Sequence, residues 1–333
     1  MAEKIRQSNL ELLRIVAMLF IMIGHSYVRL VHNGNEGISG ASLFWRTLMT
    51  TIVTTGVGGF IAISGWFGIR FKLQSLAKYL FLVFFTLFLL YGLAVALKVT
   101  NFSLLGMLVS CGFTDSYWFV LGYLGLFLIS PILNMFIEHA SKKDFRIVLI
   151  SYFVFQSYVS WISGWYNYYD GYSVIMFAGI YLSAAYVRKY PIQWIEQKAS
   201  LLWLITILVM SVIATLSLWK FGHAARQIRD DNPLMIFAGI FMLLSFRRLT
   251  FHSKIVNWMA ASSFAVYLIH YSPFVYPYFM KGMRYLYDHF DGMIYGAILL
   301  LVLLVVFVVC TLFDQLRIIC WKMVQPLFNR EKV

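Results

Sequence analysis

The stretch LELLRIVAMLFIMIGHSYVRL, residues 10–30, decides the fold class, because it is an apolar segment long enough to cross a bilayer. Similar runs recur along the chain with short charged gaps between them. The sequence is 61% hydrophobic and 12% charged, with a mean hydropathy of +0.77, which is far more apolar than a soluble domain. This pattern predicts an all-α, polytopic integral membrane protein with about ten transmembrane helices. We expect the spans near residues 10–30, 47–69, 75–97, 117–136, 145–163, 172–187, 200–219, 232–246, 257–279 and 293–316.

The distribution of basic residues predicts the orientation. Most Lys and Arg residues fall in segments on the same side as the N-terminus, which the positive-inside rule places in the cytoplasm together with the C-terminus. The net charge of +13 therefore indicates topology and not nucleic-acid binding. We find no linker, repeat or low-complexity tract, so residues 1–333 are predicted to form a single membrane domain with no fused soluble domain. The expected location is the cell membrane, most simply a bacterial cytoplasmic membrane.

The first span contains an arginine and a histidine, Arg14 and His25, which are costly in hydrocarbon and by default mark function. They are eleven residues apart, so in an α-helix they lie on one face, about 16 Å apart along the axis. That face must contact protein or a wet cavity. The alternative is that His25 is a hydrogen-bonded structural residue and that Arg14 extends to the cytoplasmic headgroups.

Such a pair suits acyl transfer to a hydroxyl group. Burial favours the neutral form of a histidine, which can then act as a general base near neutral pH. A neighbouring cation can hold an anionic acyl donor and stabilise the developing oxyanion. The three cysteines, Cys111, Cys310 and Cys320, are scattered, so the sequence predicts neither a disulfide framework nor a metal site.

Four motifs in order give the chain a family resemblance. An acid, an arginine and, eleven residues later, a histidine occupy the first span; GGFIAISGWFGIR, residues 58–70, ends the second; YWFVLGYLGLFLISPIL and SSFAVYLIH follow at residues 117–133 and 262–270. Together they resemble the membrane-bound acyltransferase family 3, whose members O-acylate surface glycans and some small molecules. The matching residues are Glu11, Arg14 and His25; Phe60, Ser64, Gly65, Phe67, Arg70 and Lys72; Trp118 and Pro131; and Ser262, Tyr267, Leu268 and His270.

The resemblance implies roles for these residues. His25 would be the base or a transient acyl carrier, Arg14 would orient it or bind donor phosphate, and Glu11 would fix Arg14 from one turn away. Arg70 and Lys72 would contact the phosphates of coenzyme A at the cytoplasmic end of the second helix. They equally fit an ordinary positive-inside loop.

His270 would contact substrate, and Tyr267, one turn earlier on the same face, would either position His270 or contact substrate. The alternative for His270 is a core histidine that donates to a carbonyl freed by Pro273.

The chain departs from the family pattern in two places. Members with a fused extracytoplasmic domain often carry a Trp-Ser-Leu-x-x-Glu sequence in the middle helix, whereas here apolar and aromatic residues around Tyr123 take the place of the glutamate. No second catalytic acid is therefore expected there. The basic pair is Arg70-Phe71-Lys72 and not two arginines, so a bidentate phosphate contact is expected at Arg70 only.

The segment WISGWYNYYDGY, residues 161–172, is a candidate acceptor platform. Trp165 and Tyr169 offer aromatic faces beside the carboxylate of Asp170, an arrangement that suits a sugar ring. An interfacial aromatic belt explains the same residues. The loop KFGHAARQIRDDN, expected on the outer side and with Arg226, Arg229, Asp230 and Asp231, either contacts an acceptor or is solvated.

The combined interpretation is an integral membrane O-acyltransferase that moves an acyl group, most simply acetyl, from cytoplasmic acyl-coenzyme A to a hydroxyl of a surface glycan or lipid-linked sugar. The donor is a substrate, and no tightly bound cofactor or metal is expected. The predicted partners are membrane lipid, donor and acceptor, with no nucleic acid and with the oligomeric state open.

Two other classes remain. A transporter or flippase for an anionic or lipid-linked sugar would use Arg14 and His25 for binding and proton coupling. A non-enzymatic scaffold leaves the paired intramembrane charges unexplained.

Overall fold

The computed structural model describes residues 6–32, 40–110, 117–163, 173–222 and 228–328, and these ranges are helical without strands. The α-helices in chain order are α1 Ser8–Ile23, α2 Arg29–His32, α3 Gly40–Phe67, α4 Leu73–Ala96, α5 Leu104–Val109, α6 Trp118–His139, α7 Lys142–Gln156, α8 Val174–Lys189, α9 Gln193–Gln197, α10 Ala199–Phe221, α11 Pro233–Arg247, α12 Lys254–Ala260, α13 Ser263–His270, α14 Tyr276–His289 and α15 Gly292–Val324. Two π-helical turns, Gly24–Val28 and Ser157–Ile162, and a 3₁₀ turn, Gln325–Phe328, complete the set for these ranges.

Six of the described helical segments are long and apolar enough to cross a bilayer, and α11 is a shorter apolar helix of 15 residues. The prediction of an all-α, multi-pass membrane protein is confirmed. The count of about ten spans and the cytoplasmic termini stay predictions. The six segments are Ser8–Val28, Ser42–Phe67, Leu73–Ala96, Trp118–His139, Ala199–Phe221 and Gly292–Phe328.

The predicted span at residues 257–279 is not one helix. The structure divides it among α12, α13 and α14, with a turn after Ala260 and a second break after His270. The second break follows from Pro273, which disfavours helical geometry at Ser272, and from Pro277, which lies in the first turn of α14. His270 therefore ends a helix instead of lying within one.

The chain divides into two compact units, the first made of Met1–Ile69 and Ile129–Ala260. Within this unit α3 packs against α1, α8, α10 and α11. Glycines permit the close approach: a Cβ on Gly239 of α11 would lie 2.8 Å from the carbonyl carbon of Gly58, and one on Gly65 would overlap the backbone of Tyr181 in α8. Small residues at helix contacts are typical of membrane proteins, where close backbone packing drives association.

Threonines supply polar groups along α3 without leaving them unpaired in an apolar environment. The hydroxyls of Thr50, Thr51 and Thr54 donate to carbonyl oxygens four residues earlier, each at 2.8 Å. Thr47 also shares a hydrogen bond of 2.6 Å with Thr215 of α10. These side chains satisfy their hydrogen-bonding groups locally, which keeps α3 compatible with a low-dielectric surrounding.

The second unit consists of Arg70–Leu128 and Ala261–Val333. Here α13 packs against α4 and α15, and α14 packs against α15. An aromatic cluster surrounds Phe264: its ring lies 5.7 Å from those of Tyr79 and Phe119 and 6.4 Å from that of Tyr123. The Tyr79 hydroxyl donates to the carbonyl oxygen of Val120 at 2.8 Å, so this polar group is also satisfied.

Gly65→Ala tests the close contact of α3 with α8. Because the added methyl group meets backbone that cannot rotate away, we expect destabilisation of about 1–3 kcal/mol, the usual cost of overpacking. Gly92→Ala is the matched control, since nothing lies within 4 Å of its Cβ position, and it should be neutral or stabilising. The measurement is the apparent Tm in detergent. Equal Tm values for the two variants would contradict the packing described here.

Candidate functional site

Glu11 and Arg14 form an ion pair in the first half of α1. The Arg14 Nη1 atom donates to both carboxylate oxygens of Glu11, at 3.0 and 2.9 Å. The Glu11 side chain is 9% exposed, whereas that of Arg14 is 29% exposed. The buried carboxylate is therefore neutralised within one helical turn, and the arginine keeps donors for a further group. The contact expected from the spacing of the two residues is present.

His25 lies in the π-helical turn Gly24–Val28, which directly follows α1 and directly precedes α2. Arg14 and His25 are thus carried by one continuous helical rod. The histidine is half-buried, and its neighbour Ser26 is fully buried and donates to the carbonyl oxygen of Met22 at 2.8 Å. π-Helical turns are rare and occur frequently at functional sites. A π-helical turn has more residues per turn than an α-helix, so the direction of the His25 side chain relative to Arg14 departs from the one that ideal α-helical spacing predicts.

Arg70 and Lys72 lie in the connector between α3 and α4, and both are exposed. A closed set of three hydrogen bonds fixes the preceding residue. The Ile69 N–H donates to the Tyr181 hydroxyl at 2.8 Å, this hydroxyl donates to Asn134 Oδ1 at 2.6 Å, and Asn134 Nδ2 donates to the Ile69 carbonyl at 2.7 Å. We name this set the Ile69 clasp. The Ile69 clasp therefore fixes the backbone directly before Arg70.

The turn before the Ile69 clasp is also held. Gly68 ends α3 with a φ of +77°, which a glycine adopts without strain. The carbonyl oxygen of Trp66 accepts from Arg188 at 2.6 Å, and the Arg247 guanidinium lies 4.9 Å from the centre of the Trp66 ring. Sequence reasoning missed Asn134, Tyr181 and Arg188, because their contacts join helices that are distant along the chain.

His270 belongs to the second unit, and it is fully buried at the end of α13. Its Nδ1 lies 2.7 Å from the carbonyl oxygen of Val266, which can only accept, so Nδ1 carries a proton. The carbonyl freed by Pro273 is that of Ile269, and it accepts instead from the Ser272 N–H at 3.2 Å. The expectation that His270 donates to a carbonyl freed by Pro273 was therefore wrong, because His270 donates to the carbonyl oxygen of Val266.

Tyr267 stands beside His270, with ring centroids 6.4 Å apart. Its ring also packs edge-on against Tyr117 and stacks on Tyr271, at 6.1 and 6.0 Å. The proximity expected from their spacing on α13 is present. This aromatic wall keeps the imidazole of His270 in an apolar surrounding.

The proposed acceptor residues Trp165, Tyr169 and Asp170 lie outside the described residues. The other acceptor candidate, the segment between α10 and α11, is described from Ile228 onward. There Arg229 contacts the fully buried Asp231 through Nε–Oδ1 and Nη2–Oδ2 bonds of 3.0 and 2.7 Å. The Oδ1 atom of Asp230 is buried without a hydrogen-bond partner. Burial, and then the charge of Asp231, raise the pKa of Asp230 to about 7, whereas Arg229 opposes this shift.

A buried ion pair in α15 was missed from the sequence. The Arg317 Nε donates to Asp314 Oδ1 at 2.8 Å, and the hydroxyl of Ser262 donates to Asp314 Oδ2 at 2.7 Å. The Asp314 and Arg317 side chains are 0% and 5% exposed. Ser262 directly precedes α13, so the pair fixes the start of the helix that carries Tyr267 and His270. The signal was an acid and a base three residues apart at the end of an apolar run.

No group of three or more His, Cys, Asp or Glu side chains that could hold a metal occurs in the parts of the chain that the structure describes. The profile of one protein family, described as an acyltransferase domain, matches residues 7–314 of the 333 residues. No curated protein matches the chain, and no solved structure matches it.

Asp314→Asn tests the buried pair in α15. The substitution leaves the Arg317 charge buried without its counter-charge, so we expect destabilisation of about 3–5 kcal/mol. The double variant Asp314→Leu/Arg317→Met removes both charges and should be much closer to wild type. The measurement is the apparent Tm and SDS-induced unfolding of the purified protein. A single variant as stable as the wild type would contradict the cost expected for the unpaired Arg317 charge.

Asp230→Asn tests the raised pKa in the segment between α10 and α11. Between the ordinary pKa of 3.8 and the folded value of about 7, the folded state keeps a proton that the unfolded state releases. Stability therefore falls as pH rises through this window and is level above it. Asp230→Asn, which cannot ionise, should lose this slope and be more stable than wild type above pH 7. Apparent Tm between pH 4 and 8 measures this, with Asp288→Asn as the exposed control. A slope that survives Asp230→Asn would assign it to other groups.

Proposed function

The chain belongs to the membrane-bound acyltransferase family 3 and is a membrane acyltransferase, and we propose that it transfers an acyl group from acyl-coenzyme A to a hydroxyl of a surface glycan or lipid-linked sugar. The acyl group is most simply acetyl, and the donor arrives from the cytoplasm. The observation that carries the proposal is the Glu11–Arg14 ion pair on the same helical rod as His25, a titratable residue in a π-helical turn.

The proposed chemistry uses His25 as the general base. It takes the proton of the acceptor hydroxyl as the oxygen attacks the thioester carbonyl. The tetrahedral oxyanion then collapses with cleavage of the C–S bond, and the released coenzyme A thiolate takes that proton from the imidazolium. The products are the acyl ester and free coenzyme A. If His25 is instead a transient acyl carrier, its imidazole nitrogen attacks the thioester carbonyl and expels the coenzyme A thiolate. The acceptor hydroxyl then attacks the acyl-imidazole, which releases the imidazole, and the hydroxyl proton passes to the thiolate.

Arg14 contributes a positive charge near the donor or the oxyanion. Its bonds to Glu11 support this role, since they fix the guanidinium while leaving it 29% exposed. Arg70 and Lys72 are proposed to bind donor phosphate, supported by their exposure and by the Ile69 clasp that precedes them. Phosphate contacts of this kind hold ground state and transition state alike.

Two groups of residues are proposed to contact the acceptor. Trp165, Tyr169 and Asp170 are proposed to hold a sugar ring through stacking and hydrogen bonds. Tyr267 and His270 are proposed to line a substrate contact, which their aromatic surroundings and burial support. The bacterial cytoplasmic membrane, with both termini in the cytoplasm, is the proposed location.

His25→Ala tests the proposed function. Loss of a general base typically costs about 10²–10⁴-fold in rate, so the acyl mass on surface glycans should disappear in mass spectra of cells that carry only this variant. Insertion should remain normal, because a polar group has been removed from hydrocarbon. His139→Ala, an exposed histidine at the end of α6, is the matched control and should leave the acyl mass unchanged.

Two outcomes would overturn this assignment. If His25→Ala retains more than about a tenth of the acyl mass, His25 is not the base. If deletion of the gene leaves glycan mass unchanged but reduces accumulation of a sugar on one side of the membrane, the transporter alternative is correct.

A further inference from the structure

A cavity of about 520 Å³ opens where the start of α1 meets the segment that joins α11 to α12. Its lining includes Arg6, Arg247, Phe251 and His252, all within the first compact unit. The volume falls in the usual range of ligand sites, about 300–1,000 Å³. We name this feature the α1-base cavity.

Hydrogen bonds between distant parts of the chain fix the walls of the α1-base cavity. Asn9 Nδ2 donates to the carbonyl oxygens of Arg247 and Leu249, each at 3.0 Å, which ties the end of α11 to the first turn of α1. At the other end of the segment, the Ser253 N–H donates to the Ser8 hydroxyl at 3.0 Å. The intervening residues are therefore held at both ends. Such preorganisation lowers the cost of ordering a site on binding.

The charge of the lining suits an anion. Two guanidinium groups contribute positive charge, and no carboxylate is among the described residues that line the cavity. Arg6 is held by a bond of 2.8 Å to the carbonyl oxygen of Asn257, and Arg247 by an ion pair with Glu196, which offsets part of its charge. Each guanidinium has five N–H donors, so these contacts position the groups without using all of their donors. Arginine is well suited to phosphate for this reason.

An aromatic ring accompanies the cations. Phe251 is 41% exposed although it lines the cavity, and it is flanked by Thr250 and His252. A ring left partly open next to guanidinium groups can stack with a base while the cations hold phosphate, which is the usual combination in nucleotide recognition. A phospholipid headgroup shares the phosphate but has no flat ring. The lining therefore favours a nucleotide.

We propose that the α1-base cavity docks the nucleotide end of the acyl-coenzyme A donor; the identity of this ligand rests on the function proposed above. The cavity lies at the foot of the rod that carries Arg14 and His25. From Ser8 to His25 is about 26 Å at 1.5 Å per residue. A donor held by its nucleotide would extend its thioester arm along this rod. Coenzyme A carries a diphosphate and a separate 3′-phosphate, which would bind the guanidinium groups of Arg6 and Arg247.

The test measures binding of adenosine 3′,5′-bisphosphate, the nucleotide end of the donor without its arm. The full-length protein is placed in phosphatidylcholine nanodiscs and the Kd is measured by calorimetry. Arg6→Gln/Phe251→Ala should weaken binding at least tenfold, because a charge and a stacking face are lost. Phe251→Trp should retain affinity. Lys254→Gln is the matched control: it removes one positive charge three residues from Phe251, outside the lining, and should change Kd less than twofold.

Several results would overturn the proposal. One is an unchanged Kd in Arg6→Gln/Phe251→Ala; if this variant has a lowered Tm, Phe251→Leu replaces it and must still weaken binding. Another concerns nanodiscs of mixed phosphatidylcholine and phosphatidylglycerol: variants that lose the phosphatidylglycerol retained by the wild type, with an unchanged nucleotide Kd, would assign the cavity to lipid headgroups.

Acyl transfer is measured on the same preparations, which separates the two proposals. Wild-type transfer without nucleotide binding at the α1-base cavity leaves the proposed function intact and removes this site. Nucleotide binding that depends on Arg6 and Phe251, without transfer from any acyl-coenzyme A, supports the site and removes the proposed function.

Discussion

The constraint on which this structure depends is the cost of an unpaired charge in apolar surroundings. Each compact unit contains a carboxylate that is almost fully buried, and each is paired with an arginine three residues later on the same helix, as Glu11–Arg14 and Asp314–Arg317. A pair of this spacing forms with the helix itself and needs no partner from elsewhere in the fold. In both pairs the arginine is the more exposed member, but only Arg14, at 29% against 5% for Arg317, is open enough to make further contacts.

The two ion pairs differ in the hydrogen bonds that their members can make beyond the pair itself. Asp314 accepts a third bond from Ser262, and this consolidates a structural junction at the start of α13. Arg14 is 29% exposed and keeps donors beyond its two contacts with Glu11, which suits a group that meets a substrate. The same solution to the burial problem thus yields a rigid clamp at one end of the sequence and an available cation at the other.

Much of the fold follows from local sequence. Apolar runs fix the helices, and the three-residue spacing of Glu11 and Arg14 fixes their contact, because both depend on neighbours along the chain. Within residues 257–279, the break near Pro273 and Pro277 follows from the two prolines, whereas the turn after Ala260 was missed, since hydropathy over this stretch averages across it. The Ile69 clasp could not be predicted, because Asn134 and Tyr181 are 65 and 112 residues from Ile69 and a single polar residue on an apolar helix carries no signature of its partner. The π-helical turn at His25 could not be predicted either, because the sequence GHSYV is equally compatible with an ordinary α-helix.

The first helix places these features along one axis, and this arrangement has a mechanical consequence. Helical hydrogen bonds resist stretching, so the separation between the foot of α1, Arg14 and His25 is fixed by the rod and not by loops. Only the π-helical turn changes the direction in which His25 projects, and the bond from Ser26 to the carbonyl oxygen of Met22 satisfies a backbone acceptor at the transition into that turn. The imidazole of His25, the base proposed above, would therefore keep its distance from the proposed donor cavity at the start of α1 when neighbouring helices move.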